Sequence, residues 1–310
     1  MMNNTAAAGL WSAAPAARPA EASGSRLLFV VNDARFFVSH RLPLALAARA
    51  VGYDVHLAAH PDEAVEVVRA HGLPFHPLTI DRNGVNPAND LRTVLQLALL
   101  VRRLAPRILH GVTIKPVLYG GAVARLLRVP GFVGAVSGLG QMFDERGADE
   151  LRLVRRLIRL MYRRALAHGN GKVIFQNNED RAELVGSGLV GSERAVLIPG
   201  SGVDPDLYPA APEPSGDPVV VLPSRLLWAK GVAEFVAAAK ELRAAGVAAR
   251  FALVGEPPAH HRDAVPVDLL RRWQAEGVVE WWGFQADMPA VYARSHVVCL
   301  PSFYREGVPK

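Results

Sequence analysis

Short apolar runs recur along this chain at intervals that leave room for a helix between one and the next. From Leu27 onward the runs are Leu27 to Val31, Val55 to Ala58, Phe75 to Thr79, Ile108 to His110, Phe132 to Val136, Val173 to Phe175 and Val196 to Ile198. A second series follows at Val219 to Leu222, Phe251 to Val254, Val278 to Trp281 and Val297 to Leu300. Runs of three to five mainly apolar residues, separated by helical patterns, predict parallel strands buried on both faces. Ser39 is placed to cap a first helix running through Ala48 towards Gly52, and Val232, Phe235, Val236, Ala239 and Leu242 share one side of a later helix. The class is therefore α/β with doubly wound parallel sheets. The Pro-, Gly- and Asp-rich stretch from Pro199 to Gly216 interrupts the alternation and predicts a hinge. With 310 residues available, two domains are expected, 26–199 and 217–310, joined by a linker at 200–216.

The stretch PVVVLPSRLLWAKG, Pro218 to Gly231, carries the clearest chemistry. A buried strand ends, a short loop presents Arg225 and Lys230, and a helix opens at Gly231. In an open parallel sheet this mouth is where anions settle. A planar guanidinium fork and an ammonium point charge five residues apart suit a diphosphate. A solvated basic loop is the other reading of the same residues.

Composition limits the remaining choices. Thirty-five Lys and Arg against 29 Asp and Glu give +6 and a pI near 9.8, which suits phosphates, anionic lipid or nucleic acid without choosing among them. A single cysteine, Cys299, rules out an internal disulfide framework. Residues 1–25, small and Pro-interrupted, predict a disordered tail lacking the basic and apolar regions of a signal peptide. No uninterrupted apolar run approaches the length needed to span a bilayer; Val94 to Val101 is short and abuts Arg102 and Arg103. His56, His76 and His296 lie within strand-like runs and read as structural. The pair His260–His261 lacks zinc spacing.

Taken in order, Arg225-x-x-x-x-Lys230-Gly231 and the closing Pro-Ser-x-x-x-Arg-Glu-Gly-x-Pro, with PGSGVD from Pro199 and LVGEP from Leu253, resemble the C-terminal half of the retaining family-four glycosyltransferases of the GT-B fold. The segments VNDARFFVSHRLPLALAARAVGYDVHLA, HGVTIKPVLYGG and AVSGLGQMF look like the subgroup that builds bacterial surface glycans on polyprenyl diphosphate carriers.

That resemblance implies two Rossmann-like domains facing a cleft, the second incomplete. It implies transfer of a hexose or N-acetylhexosamine from a nucleotide diphosphate sugar, a UDP-sugar foremost, to a lipid-linked glycan acceptor in capsule, O-antigen or exopolysaccharide synthesis. Arg225 and Lys230 match the donor diphosphate pair, and Glu306 the first carboxylate of Glu-x7-Glu. Gly138, Gly140, Gly255, Gly283, Phe284 and Gly307 would line the donor; Asn32, His40, Arg41 and Lys115 would face the acceptor. The strand-end histidine common in the family is replaced here by Ser137. No metal, no cofactor beyond the nucleotide sugar and no nucleic acid partner are implied, and the expected location is cytoplasmic, peripheral on the inner face of the cell membrane.

The Arg-rich segment Leu151 to His168, with Val154, Leu157, Ile158, Met161 and Ala165 on one side, fits either an anionic membrane surface or docking on the sheet. The second motif carboxylate would lie beyond Lys310, so the expectation is of a truncated and inactive chain whose last strand is left as an apolar edge. A sugar nucleotide 2-epimerase shares the GT-B fold and is the competing enzyme class, and a nucleotide- or glycan-binding remnant is the non-enzyme reading. A Rossmann dehydrogenase is disfavoured, because Asn-Asp-Ala-Arg-Phe-Phe after Val31 is not G-x-G-x-x-G.

Overall fold

Residues 24–81, 86–136, 160–259 and 261–303 are described by the structure, a computed structural model. Seven strands lie in one sheet: β1 (Arg26–Asp33), β2 (Asp54–His60), β3 (Phe75–Pro77), β4 (Ile108–Val112), β5 (Gly131–Val136), β6 (Gly171–Phe175) and β7 (Ala195–Leu197). Their order is β3-β2-β1-β4-β5-β6-β7, and every neighbouring pair is parallel. Parallel neighbours need crossovers that cover both faces. Accordingly, β1 is buried from Leu27 to Asn32. Leu28 and Val30 enter a core with Leu97, Leu109 and Val117 on one face; Phe29 and Val31 enter another with Phe37, Val55 and Leu57.

The chain divides at Gly202 and Val203 into two compact units. The second, smaller unit holds β8 (Val219–Pro223), β9 (Arg250–Val254), β10 (Glu280–Gly283) and β11 (Val297–Val298). Their order is β10-β9-β8-β11, again all parallel. Both sheets are therefore doubly wound. All the predicted strands are present; β10 starts two residues later than the apolar run, with buried Val279 just ahead of it. The ladder of β11 is confined to two half-exposed valines.

Helices of the first unit include α1 (Ala34–His40), α2 (Leu42–Ala50), α3 (Val65–Ala70), α4 (Pro87–Leu104), α5 (Ile114–Leu126) and α6 (Asn178–Gly186); α7 (Val232–Ala244), α8 (Val267–Ala275) and α9 (Met288–Ala293) belong to the second. The first helical stretch differs from expectation. Asp33, not Ser39, is the cap, its carboxylate accepting from Phe36 N–H at 2.7 Å. The helix then breaks at Arg41 and restarts at Leu42. Pro43 explains the break: it has no N–H, and its ring would clash with the Ser39 carbonyl four residues back. On α7, Val232, Phe235, Val236 and Ala239 are buried as predicted, whereas Leu242 is exposed.

Residues 160–166 are helical, and their inner face is Tyr162, Ala165 and Leu166, with Met161 turned outward. The predicted apolar side placed Met161 inward; Val154, Leu157 and Ile158 lie outside the described residues. Close backbone approach sets this rotation, because a Cβ on Gly121 of α5 would meet the Ala165 carbonyl oxygen at 2.6 Å. Gly121→Ala should therefore destabilise the chain by about 1–3 kcal/mol through overpacking against rigid backbone. Gly186→Ala, where a Cβ meets nothing within 4 Å, should be neutral or mildly stabilising. Urea unfolding of both variants checks this, and equal midpoints would contradict the packing account.

Candidate functional site

In the second unit, β9 and β10 are laid on one side of β8 and β11 on the other. The order reverses between β8 and β11, and a crevice opens there at the carboxyl ends of the strands, the usual ligand position in such sheets. Arg225 and Lys230 stand on the loop that leaves β8 at this point. Between them Leu226 and Leu227 are buried in the core, so the loop is pinned by its apolar residues and Arg225 is left exposed. Backbone bonds from Leu226 N to Glu256 O (3.1 Å) and Val265 N to Leu226 O (3.0 Å) fix it further. Asp263 holds the short turn Trp228–Lys230, its carboxylate accepting from Ala229 N–H at 3.1 Å.

Three glycines let the neighbouring loops close on this one. Gly231, at φ +76, abuts Pro301, whose Cγ would lie 2.7 Å from an added Cβ, and Phe303 N donates to Ala229 O at 3.2 Å. The loop after β8 and the first residues of the closing motif are thus bonded together at the reversal. Gly255, at φ +126, has no room for a side chain beside the Ser224 carbonyl, and its N–H donates to Gly283 O at 2.7 Å. Gly283 is itself at φ +65. Side chains would fit neither the space nor the dihedral angles at Gly231 and Gly255.

Of the aromatic run, Trp281 donates its ring N–H to Gly255 O at 2.9 Å and Trp282 its own to Glu280 at 2.8 Å, with Arg294 stacked 4.0 Å over the Trp282 ring. Both indoles are structural. Phe284, 73% exposed, presents an open ring face at the end of β10. The structure thus gathers Arg225, Lys230, Gly255, Gly283 and Phe284 at one edge of one sheet. Gly138, Gly140, Glu306 and Gly307 lie outside the described residues.

The first unit has its own reversal, between β1 and β4. Asn32 is the penultimate residue of β1, and Thr113, at φ +75, is the N-cap of α5 directly after β4. Gly111 permits that tight return, since a Cβ there would meet the Pro116 carbonyl at 2.7 Å. Arg41, at the α1–α2 break, is only 7% exposed. Among the described residues it has no carboxylate partner; one guanidinium nitrogen donates to His40 O at 3.0 Å, and Nε has no acceptor. Burial lowers its pKa from the ordinary arginine value.

Nearby, His110 is edge-on to Phe29 at 5.1 Å. Burial, then the Arg41 charge, push its pKa down to about 3. His110 Nε2, Asn32 Oδ1 and Thr113 Oγ1 also lack partners. Buried polar atoms without partners are costly and rare in folded chains. Several gathered around one strand-order reversal, with an unneutralised cation among them, describe a receptor for an anionic, hydrogen-bonding group.

Two expected acceptor residues sit differently. His40 lies in the last turn of α1, stacked 4.2 Å from Phe36. Lys115 Nζ bonds Asp90 at 2.8 Å, so its charge is already matched. His110 and Thr113, not among the expected acceptor residues, carry unpartnered buried atoms instead. The signal for them is a histidine inside a wholly apolar strand that ends in Gly-Val-Thr before a helix. His56 and His76 are bonded to one another at 3.0 Å and His56 to Asp54 at 3.1 Å. His296 bridges Val219 N and Pro214 O. Among the described residues no group of three His, Cys, Asp or Glu is placed to hold a metal ion.

The chain matches the family described as Glycosyl transferase 4-like over residues 26–177 and that described as Glycosyl transferases group 1 over residues 217–310. A curated relative, the N,N'-diacetylbacillosaminyl-diphospho-undecaprenol alpha-1,3-N-acetylgalactosaminyltransferase of Campylobacter jejuni, is 25% identical over 297 residues, covering 92% of this chain and 76% of that protein. Among solved structures, a glycosyltransferase from Rickettsia africae superposes with TM-score 0.67 at 16% identity, covering 91% of this chain and 74% of the other. HepE from Anabaena in complex with UDP gives 0.64 at 17% identity, covering 91% and 75%. These two likenesses show the fold.

The depressed histidines set a pH dependence. Below the ordinary histidine pKa of 6.5, and down to about 3 for His110, the unfolded chain takes up a proton that the folded chain refuses. Stability therefore falls as pH falls through that window, and His76, also lowered by burial, adds to the same sign. Between pH 7.5 and 5 the parent should lose on the order of 2 kcal/mol more than His110→Gln. Urea unfolding at the two pH values reads it, and equal losses would contradict a buried neutral His110.

Proposed function

We propose, from the premise that this chain belongs to the group 1 glycosyltransferases and adopts the GT-B fold, that it moves a hexose or N-acetylhexosamine from a UDP-sugar to a polyprenyl-diphosphate-linked glycan, with retention of configuration, in surface-polysaccharide synthesis. One observation carries the donor half of this reading. Arg225 and Lys230 sit on a pinned loop at the β8–β11 reversal, bonded to the first residues of the closing motif. A diphosphate there meets a guanidinium fork, an ammonium and strand-end backbone at once. Phe284 offers a ring to the nucleobase, and Gly255 and Gly283 allow close approach of the nucleotide. UDP is the ligand in the Anabaena HepE structure, and the Campylobacter relative is named for an undecaprenol-diphosphate-linked substrate.

In the reaction, the acceptor hydroxyl oxygen bonds to the anomeric carbon as the bond from that carbon to the β-phosphate oxygen breaks. The electron pair leaves with the phosphate, which also takes the hydroxyl proton. Negative charge grows on the departing diphosphate, and Arg225 and Lys230 stabilise it as it forms. No metal is proposed. In the first unit, Arg41 supplies the positive charge for the acceptor's diphosphate, with Asn32 and Thr113 as hydrogen-bonding neighbours. Glu306 would hydrogen-bond the donor sugar's hydroxyls.

A panel of UDP- and GDP-sugars with a polyprenyl-diphosphate-linked acceptor tests the assignment. Arg225→Ala and Lys230→Ala should each slow transfer by about a hundredfold, near 3 kcal/mol of barrier. Near-parent kinetics in both would overturn the diphosphate grip. Conversion of the UDP-sugar with no acceptor present would favour the 2-epimerase class instead.

A further inference from the structure

Helix α4 shows the solvent a row of side chains that the core of the first unit does not use. Leu91, Leu95 and Leu99 follow one another at four-residue spacing and are 60%, 56% and 68% exposed. Thr93, Leu97, Leu100 and Val101 occupy the buried side of the same helix. Residues four apart lie one above another, so the three leucines form a ridge of about 12 Å. Single exposed leucines are ordinary; an aligned row is a contact surface.

The ridge is followed by exposed Arg102 and Arg103. Beyond them opens a cavity of about 520 Å³, lined by Arg26, Arg102, Arg107 and Arg128 with Val101 and Leu127 as apolar wall. Among the described residues neither Arg102 nor Arg128 has a carboxylate partner. Leu126, beside that wall, is also exposed. Charge along this stretch has one sign. Between residues 86 and 136 the sole acid is Asp90, and Lys115 already neutralises it.

We propose that this face of the first unit docks on an anionic phospholipid surface. The leucine ridge enters the boundary between headgroups and acyl chains, and the arginines that follow hold headgroup phosphates. The cavity takes one phosphate-bearing headgroup. An exposed apolar row followed by arginines matches a helix lying in the plane of a bilayer. Mobile lipid phosphates suit the guanidinium forks of Arg102 and Arg128, which have no carboxylate partner among the described residues.

The position of α4 also suits the role. Asp90, in its first turn, is bonded to Lys115 just after β4, so the helix runs from the β1–β4 reversal to the arginine cavity. A helix lying flat would bring that reversal to the bilayer surface, where a polyprenyl-linked acceptor is presented. The proposal rests on the acceptor reading above for that last step alone.

Flotation of the full-length chain with vesicles tests it without any transfer reaction. The parent should bind phosphatidylcholine vesicles containing phosphatidylglycerol, release in high salt, and ignore pure phosphatidylcholine. Arg102→Glu with Arg128→Glu should lower partition by about thirtyfold, the equivalent of about 2 kcal/mol. Leu95→Ser with Leu99→Ser should lower it at least about tenfold. Both pairs are exposed, so urea midpoints and UDP affinity should stay at the parent value. Reversal of Arg152, Arg155 and Arg159 to Glu should weaken binding less than the Arg102 and Arg128 pair. Parent-like flotation of both pairs, or loss confined to the Arg152, Arg155 and Arg159 variant, would overturn the proposal. So would a parent dimer that the leucine variant splits, which would make the ridge a self-association face.

Discussion

In a parallel sheet every strand ends at the same edge, and each crossover must pass over a face to begin the next strand. Both sheets of this chain obey that constraint, and in both the strand order reverses once beside the first strand of the unit, at β1–β4 and at β8–β11. The loops on either side of a reversal diverge to opposite faces and leave a gap that no crossover covers. What fills the gap is the difference between the two units. The second places two cations and three glycines of positive φ there. The first places a buried arginine, a neutral histidine and unpartnered oxygen atoms.

Those residues cost stability where they stand. Thr113 holds a positive φ that only glycine adopts freely, and Arg41 keeps a charge with little access to water. Strain and unmet hydrogen bonds persist in a fold when the surrounding structure over-determines them, and they collect at sites that meet a ligand. Here the surroundings are the ladder from β1 to β4, with Phe29 opposite His110, and the tight return over Gly111. The glycines of the second unit serve the same end differently. They let the loops after β8, β9, β10 and β11 be bonded to each other, so that Arg225 and Lys230 stand on a closed frame and not on a free loop.

Much of this was legible in the chain itself. Strands buried on both faces read as unbroken apolar runs, and so their number and parallel character followed directly. The placement of Arg225 and Lys230 at the sheet edge was legible too, because they flank a strand-to-helix turn whose glycine is in the sequence. Features set by residues distant in the chain were not. The rotation of helix 160–166 depends on Gly121, some forty residues earlier, so period alone favoured Met161 over Tyr162 for the buried side. Lys115 looked free until Asp90 of another helix was placed beside it. His110 read as one residue in an apolar strand, and only tertiary packing buries it fully and sets Arg41 near, which together depress its pKa. The helix break at Arg41 was an exception, because Pro43 announces it locally.

The central claim is that the two reversals take different anions, the nucleotide diphosphate at β8–β11 and the acceptor diphosphate at β1–β4. Calorimetric titration of the full-length chain with UDP, and separately with a short-chain prenyl diphosphate, tests it most directly when run on Lys230→Ala and Arg41→Gln side by side. The account predicts that Lys230→Ala weakens UDP by about tenfold or more while leaving prenyl diphosphate binding near the parent, and that Arg41→Gln does the reverse. Loss of UDP affinity in Arg41→Gln, with Lys230→Ala unaffected, would contradict it.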